Sequence, residues 1–450
     1  MGSPARLFGT DGIRGRANEG WLTPESAEKF GLAVAAKFGP RGGPLVIGRD
    51  TRISGAMLEN AVAAGAAAMG VDVLLLGVIP TPAVAFLTRK MEGCAGIVIS
   101  ASHNPFEDNG LKIFQSDGFK CNDALEIEIE DLLLGKSPLP SAGPKPGVIK
   151  TWPDAAARYA DLVVKSYADE LDLHGLRIVV DAANGAAYQT TPLVLRALGA
   201  EVHALHADPD GTNINAACGS THPESMQKAT VDFSAQIGLA HDGDADRLLC
   251  CDEAGSLLDG DEMLAIIGLD YLRRGALAKN TLVATVMSNL GLDNCLAAAG
   301  GKVLRAGVGD RYVLELMLAH RLNVGGEQSG HIILSDYNTT GDGLVTALEI
   351  LRIMRRSGRP LSELRRGLEK FPQLLVNLKV SDRIPLEDLP EVTATIRALE
   401  TELGNAGRIL LRYSGTEPKI RLLVETRDPA RLQPVADQIV MSLKKHLTVL

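Results

Sequence analysis

The sequence predicts a multidomain α/β protein: three similar α/β domains with mixed sheets plus a smaller C-terminal α+β domain, arranged around one central cleft. Three observations predict it. A strand–helix–strand pattern recurs three times, the pattern changes after Phe371, and four polar segments fall where strands end. At 450 residues, and roughly 150 residues per domain, several domains are expected in any case.

Strand-like apolar runs at residues 45–48, 177–181 and 281–285 each precede a helical pattern. Each helix then closes on a glycine before a second strand, at Gly70-Val71-Asp72-Val73, Gly199-Ala200-Glu201-Val202 and Gly300-Gly301-Lys302-Val303. Glycine is suited to the left-handed conformation that ends a helix. A further strand follows in each repeat (96–100, 237–240, 323–325) and runs straight into a polar segment. Ligands gather beyond the carboxyl ends of strands in open α/β sheets, so three equivalent loops are expected to share one site. After Phe371 the pattern becomes a strand (374–380), a helix (391–403), two strands around Ser414-Gly415-Thr416 and a final helix from Pro429. The stretch GKSPLPSAGPKPG (135–147) reads as a linker and RRSGRP (355–360) as a looser end to the third repeat. The expected domains are 1–150, 151–255, 256–370 and 371–450.

Hydrophobic residues make up 46% of the chain and charged residues 22%, which is the balance of a globular protein and not of a disordered one. The net charge of −9 comes without a Lys/Arg cluster, so no nucleic-acid partner is expected. None of the six cysteines forms a Cys-x-x-Cys pair, and reduced thiols in a cytoplasmic protein are the expectation. No signal-peptide core opens the sequence and no apolar run approaches the ~20 residues of a membrane span, so no membrane association is expected.

The first loop segment, ISASHNPFEDNGLKIF (99–114), presents Ser102 as a candidate nucleophile, with a plain Ser/Asx turn as the alternative. A Ser102–His103 dyad is not expected, because adjacent residues in extended chain point to opposite faces. Lys112 is the candidate base, on the expectation that partial burial lowers its pKa, with a snorkelling surface lysine as the alternative. The second segment, HDGDADR (241–247), places Asp242, Asp244 and Asp246 at alternating positions after an apolar strand. Such carboxylates build an all-oxygen site for a hard cation. An EF-hand reading fails at its sixth position, where Arg247 stands instead of Gly, so magnesium on a β-loop is favoured and Arg247 would offset a phosphoryl group. The third segment, VGGEQSGH (324–331), offers Glu327, Ser329 and His331 as acceptor, hydroxyl and titratable group, a set suited to sugar hydroxyls or merely a Gly-rich turn. The fourth, RYSGTEPKIR (412–421), flanks Ser414, Gly415 and Thr416 with Arg412 and Arg421, a combination that suits a phosphate dianion or makes a simple hairpin. Nucleotide sites are not supported: Glu130 stands where the first Gly of a Walker motif belongs, and Tyr312 replaces the third glycine after Gly307-Val308-Gly309.

The segments ASHNP with NGLK, DGDADR, GEQSGH and RYSGTEP stand in the order and spacing of the α-D-phosphohexomutase superfamily, which the chain resembles over essentially its whole length. FGTDGIRG, GRDTRISG (48–55) and VGDRYVLE (308–315) look most like the branch that acts on glucosamine phosphates and so feeds amino-sugar nucleotide and cell-wall precursor synthesis. The resemblance implies a reversible exchange between the 6- and 1-phosphates through a sugar 1,6-bisphosphate. It makes Ser102 the phosphoserine and gives Mg2+, one per site, to Asp242, Asp244, Asp246 and an oxygen on phosphorylated Ser102. Glu327 and Ser329 would grip the sugar, and Arg412, Ser414, Gly415, Thr416 and Arg421 the phosphate that does not react. Lys112 and His331 are the candidates for moving the hydroxyl proton, His103 is a further site member, and Arg14, from an N-terminal loop, is expected to reach the phosphoserine. A homodimer and hinge motion of the last domain are implied too. Relatives commonly carry lysine just before VGDRY, where this chain has Gly307. The rival readings are a phosphoglucomutase or phosphomannomutase with the same mechanism, a sugar-phosphate phosphatase, and a non-catalytic sugar-phosphate sensor that binds without turnover.

Overall fold

The computed structural model describes residues 6–9, 11–139, 141, 145–168, 170–381, 383–414 and 419–448. The chain divides into two compact units, Met1–Thr285 with Leu304–Gly367, and Val286–Val303 with Leu368–Leu450.

Three sheets lie in the first part of the chain. The first holds β1 (Ile13–Arg16), β2 (Leu45–Arg49), β3 (Val73–Val78), β4 (Ala95–Ile99), β5 (Asp108–Gln115) and β6 (Ile149–Thr151) in the order β1-β5-β4-β2-β3-β6. The second holds β7 (Arg177–Asp181), β8 (Glu201–Leu205), β9 (Ile237–His241), β10 (Leu248–Asp252) and β11 (Leu257–Leu258) in the order β11-β10-β9-β7-β8. The third holds β12 (Thr281–Thr285), β13 (Lys302–Ala306), β14 (Val324–Gly326) and β15 (Ile332–Leu334) in the order β13-β12-β14-β15. One four-strand pattern repeats in all three. The run β3-β2-β4-β5 corresponds to β8-β7-β9-β10 and to β13-β12-β14-β15, and each time the last strand returns antiparallel to its neighbour.

That returning strand is what the sequence pattern under-represents. Residues 99–114 read as one loop, yet from Asp108 onward they pair with β4 on one side and β1 on the other. Arg14 likewise sits on β1 and not in a loop. Composition explains both: β1 (IRGR) and β5 (DNGLKIFQ) interleave polar residues and glycine with apolar ones and so carry a weaker apolar signal than the runs of β2 and β4. Gly70, Gly199 and Gly300 all have left-handed φ, at 84°, 94° and 83°, as the helix ends required. Past the 135–147 stretch the chain adds β6 alongside β3, a strand the linker reading did not anticipate.

Helices Pro24–Phe38 and Gly55–Ala68 cover the first sheet, packing Phe30, Val34, Leu58 and Val62 with Leu45, Ile47 and Ile97 in one core. In the second unit β16 (Gln373–Lys379), β17 (Gly407–Tyr413) and β18 (Lys419–Thr426) form an antiparallel sheet in the order β16-β18-β17. Helices Pro390–Leu403 and Leu432–Lys444 bury Val392, Leu399, Ile439 and Leu443 against Ile420, Leu422 and Val424. Among the described residues no helix is long and apolar enough to cross a membrane.

Candidate active site

The loops that leave β4, β9 and β14 come together. Ser102 follows β4 with φ 53°, an unusual value for a residue with a side chain. Its hydroxyl donates to Asp242 Oδ2 at 2.6 Å, and its N–H donates to Ser100 Oγ at 2.9 Å. The left-handed turn invalidates the extended-chain premise for His103, whose Nδ1 lies 3.4 Å from Ser102 Oγ. That separation is long for a working dyad. Burial, then the Arg247 and Arg14 charges, hold the His103 pKa down at about 4, so its ring is neutral near pH 7.

Asp242, Asp244 and Asp246 are buried, and one oxygen from each lies within 4.8 Å of the others. Burial, with repulsion from Asp246 and Asp244, pushes the Asp242 carboxyl up to about 8. Burial also works against ionising Asp246, but His331, Lys112 and Arg247 outweigh it and hold that carboxyl well below the usual range. Asp244 Oδ2 accepts from Thr81 Oγ1 at 2.7 Å and from Lys112 Nζ at 2.8 Å. Asp244 Oδ1 and Asp246 Oδ1 are buried with no hydrogen-bond partner among the described residues. Orphaned carboxylate oxygens this close are costly unless a cation takes them up. All-oxygen, hard donors of this kind fit a divalent ion such as Mg2+. The strand β10 that follows is not the helix an EF-hand would need.

A second cluster of ligand-type residues, Asp181, His206 and Cys218, falls outside the segments singled out above. Asp181 is already committed there, accepting from the N–H groups of Ala183 and Gly219 at 2.9 and 3.0 Å and lying 3.0 Å from His206 Nδ1. All six cysteines are free thiols.

Lys112 corrects a sequence expectation. It is buried on β5 as foreseen, but its pKa is raised, not lowered. Burial alone would lower it; Asp11 Oδ2 at 2.9 Å and Asp244 Oδ2 at 2.8 Å win. It is therefore a fixed ammonium group. Lys120 bonds the other oxygen of Asp11 and also Asp310. Arg14 pairs with Asp11 and feels Asp244 and Asp246. Asp11, Lys120, Asp310 and Thr81 were not singled out from sequence, although Asp11 and Asp310 lie inside FGTDGIRG and VGDRYVLE.

From the third loop, His331 is buried with Nδ1 3.6 Å from Asp246 Oδ2 and Nε2 3.7 Å from Asp310 Oδ2. Gly341 N–H donates to its Nε2 at 3.2 Å, which leaves the Nδ1 proton facing Asp246. Glu327 Oε1 accepts from Gly309 N–H at 3.0 Å, and burial raises its pKa. Ser329 is exposed. Arg247 Nε is 4.0 Å from Asp246 Oδ1 and has no hydrogen-bond partner among the described residues. Gly307 stands beside the Tyr312 ring, 3.5 Å from where a Cβ would lie. Gly330 keeps this loop against β10: its φ is 89°, and a Cβ there would overlap the Leu248 carbonyl. Gly330→Ala is expected to destabilise by about 3 kcal/mol, checked by urea unfolding, since both strain and overpacking act at once.

In the second unit Arg412 and Arg421 face each other across β17 and β18. Burial and the neighbouring Arg421 lower the Arg412 pKa, and Arg412 Nε has no hydrogen-bond partner among the described residues. Such a pair of cations, held side by side, is suited to an anion. Ser414 is buried and donates its N–H to Lys419 O at 2.8 Å. Gly415 and Thr416 lie outside the described residues.

Four family models match the chain: Phosphoglucomutase/phosphomannomutase alpha/beta/alpha domains I, II and III over residues 5–138, 157–255 and 259–371, and the C-terminal domain over 375–442. A phosphoglucosamine mutase of Anaeromyxobacter sp. (strain Fw109-5) is 52% identical over 98% of this chain and 96% of its own. Another from Desulforudis audaxviator is 53% identical over 96% of this chain and 97% of its own. Among solved structures, a phosphoglucomutase/phosphomannomutase family protein of Burkholderia thailandensis matches with TM-score 0.82 and 26% identity, covering 98% of both chains. N-acetylphosphoglucosamine mutase of Aspergillus fumigatus, solved with GlcNAc-6P and magnesium, shares the fold at TM-score 0.70 and 17% identity, covering 98% of this chain and 96% of its own.

Proposed function

Because the chain belongs to the phosphoglucomutase/phosphomannomutase family and matches phosphoglucosamine mutases over nearly its full length, we propose that it interconverts glucosamine 6-phosphate and glucosamine 1-phosphate with Ser102 as phosphoryl carrier. The observation that carries the site reading is the Ser102 hydroxyl 2.6 Å from Asp242, inside a buried acidic triad.

Phospho-Ser102 gives its phosphoryl group to the free C1 hydroxyl of the 6-phosphate; the P–Oγ bond breaks, a P–O bond to the sugar forms, and the proton the hydroxyl gives up is matched by one taken up at Ser102 Oγ. The resulting 1,6-bisphosphate turns over in the site. Its C6 phosphoryl then returns to Ser102 Oγ as the bond from phosphorus to the C6 oxygen breaks, and the proton that Oγ gives up is matched by one taken up at the C6 oxygen. Mg2+ on Asp242, Asp244 and Asp246, with an oxygen of the phosphoserine, would supply neutralisation of the charge on the phosphoryl oxygens. Lys112, held as an ammonium by Asp11 and Asp244, donates to those oxygens. His331 between Asp246 and Asp310 is placed to exchange the hydroxyl proton. Arg14 and Arg247 offset the charge of the reacting phosphate, and His103 stays a neutral neighbour. Glu327 and Ser329 take the sugar hydroxyls, while Arg412, Ser414, Gly415, Thr416 and Arg421 take the phosphate that does not react.

In this reading residues 1–150 carry the phosphoserine, 151–255 the metal loop, 256–370 the sugar loop and 371–450 the phosphate site, and turnover of the bisphosphate calls for hinge motion of the last domain. A cytoplasmic homodimer is part of the proposal. Phosphorus NMR with Mg2+, a trace of sugar 1,6-bisphosphate and, separately, glucosamine, glucose and mannose 6-phosphates tests the substrate. The expected result is fastest 1-phosphate formation from the glucosamine sugar; a preference for glucose or mannose would replace the substrate and keep the chemistry.

A further inference from the structure

Arg52 is the largest fully buried side chain among the described residues, and no step of the reaction above calls on it. All five of its guanidinium N–H bonds are spent on one loop and one carboxylate. Nε donates to Asp50 Oδ2 at 2.9 Å. Nη2 donates to the carbonyls of Ser102 at 2.9 Å and Asn104 at 2.8 Å, and Nη1 to those of Pro105 and Asp108, the latter at 3.0 Å. Four carbonyls between positions 102 and 108 thus converge on a single planar group. Asn215, from the second sheet's half of the site, adds Nδ2 contacts to the Ser102 and Asn104 carbonyls at 2.9 and 3.1 Å. Asp50 closes the circuit: it accepts from Ser100 Oγ, which accepts the Ser102 N–H.

We propose that Arg52, assisted by Asn215, is a positioning residue that holds Ser102 in its left-handed conformation and aims Oγ at the acidic triad through both half-reactions. The inference rests on Ser102 being the phosphoryl carrier. A non-glycine residue at φ 53° costs free energy that its surroundings must offset, and carbonyls crowded together repel unless donors separate them. Only a fork of five fixed donors meets four carbonyls and a carboxylate at once; lysine brings three donors on a point charge. The carrier must accept and surrender a phosphoryl group without the loop relaxing, and misplacement by about 1 Å costs about 100-fold in rate.

The test is Arg52→Lys, assayed with glucosamine 6-phosphate and glucose 1,6-bisphosphate beside Ser102→Ala. The expected result is a folded protein whose kcat falls about 100-fold with KM within about 3-fold, and whose Ser102 is phosphorylated by the bisphosphate correspondingly slowly in an intact-mass time course. A group that merely stabilised the fold would lower the folded fraction and leave the kcat of the folded enzyme alone. Where Arg52→Lys fails to fold, Asn215→Ala serves: it removes only the assisting Nδ2 contacts to the Ser102 and Asn104 carbonyls, and about a 10-fold loss of kcat at unchanged KM is expected, the equivalent of about 1.4 kcal/mol. Parental kcat and phosphorylation rate in whichever variant folds would overturn the positioning role. If instead Ser102→Ala keeps its activity, it is the phosphoserine reading that fails.

Discussion

Ser102→Ala is expected to reduce mutase turnover by at least ~10⁴-fold while leaving the protein folded, because the covalent carrier is lost. The Oγ donates to Asp242 at 2.6 Å, so its loss leaves one buried carboxylate oxygen short of a donor. That costs about 1–3 kcal/mol, which in a chain of this length is a shift of a few degrees in melting temperature. Circular dichroism and thermal melting read the fold; phosphorus NMR reads the turnover. A variant that melts normally and still turns over within about 10-fold of the parent would remove Ser102 from the chemistry.

The second large effect is expected at the metal. Asp244 gives one oxygen to Thr81 and Lys112 and leaves the other without a partner. Asp244→Asn keeps the shape, removes one of three negative charges, and takes a carboxylate away from Lys112. The Mg2+ concentration for half-maximal rate is expected to rise ~10–100-fold, the scale seen when partners of a metal site are lost. The rate at saturating Mg2+ is expected to fall as well, since Lys112 loses part of what holds it. Chelation of the parent enzyme is expected to abolish turnover, and added Mg2+ to restore it. An Asp244→Asn enzyme with the parental Mg2+ requirement would mean that the triad is not where the ion sits.

How much of this is legible in sequence follows from the range of the interactions. The three-fold strand pattern and its glycine caps are local, and they were legible: the second strands begin where Gly70, Gly199 and Gly300 turn the chain. The acidic triad is local too, three carboxylates within one turn after β9. Charge states are not. The Lys112 ammonium is set by Asp244, 132 residues away in sequence, and by Asp11, so burial was foreseeable and its consequence was not. His103 turns back toward Ser102 only because Ser102 adopts φ 53°, a torsion no residue type announces. Arg52 is the extreme case. Four of its bonds reach 50–56 residues along the chain, and although it lies inside GRDTRISG, nothing in that segment says which carbonyls its side chain meets.

Phosphopeptide mapping after brief exposure to glucose 1,6-bisphosphate, before and after a chase with glucosamine 6-phosphate, tests the central claim most directly. The expected result is one phosphoryl group at Ser102, which leaves during the chase as sugar bisphosphate and reappears as the glucosamine 1-phosphate pool grows. A phosphoryl group on another residue, or its release only as inorganic phosphate, would contradict a carrier at Ser102 and point to hydrolysis.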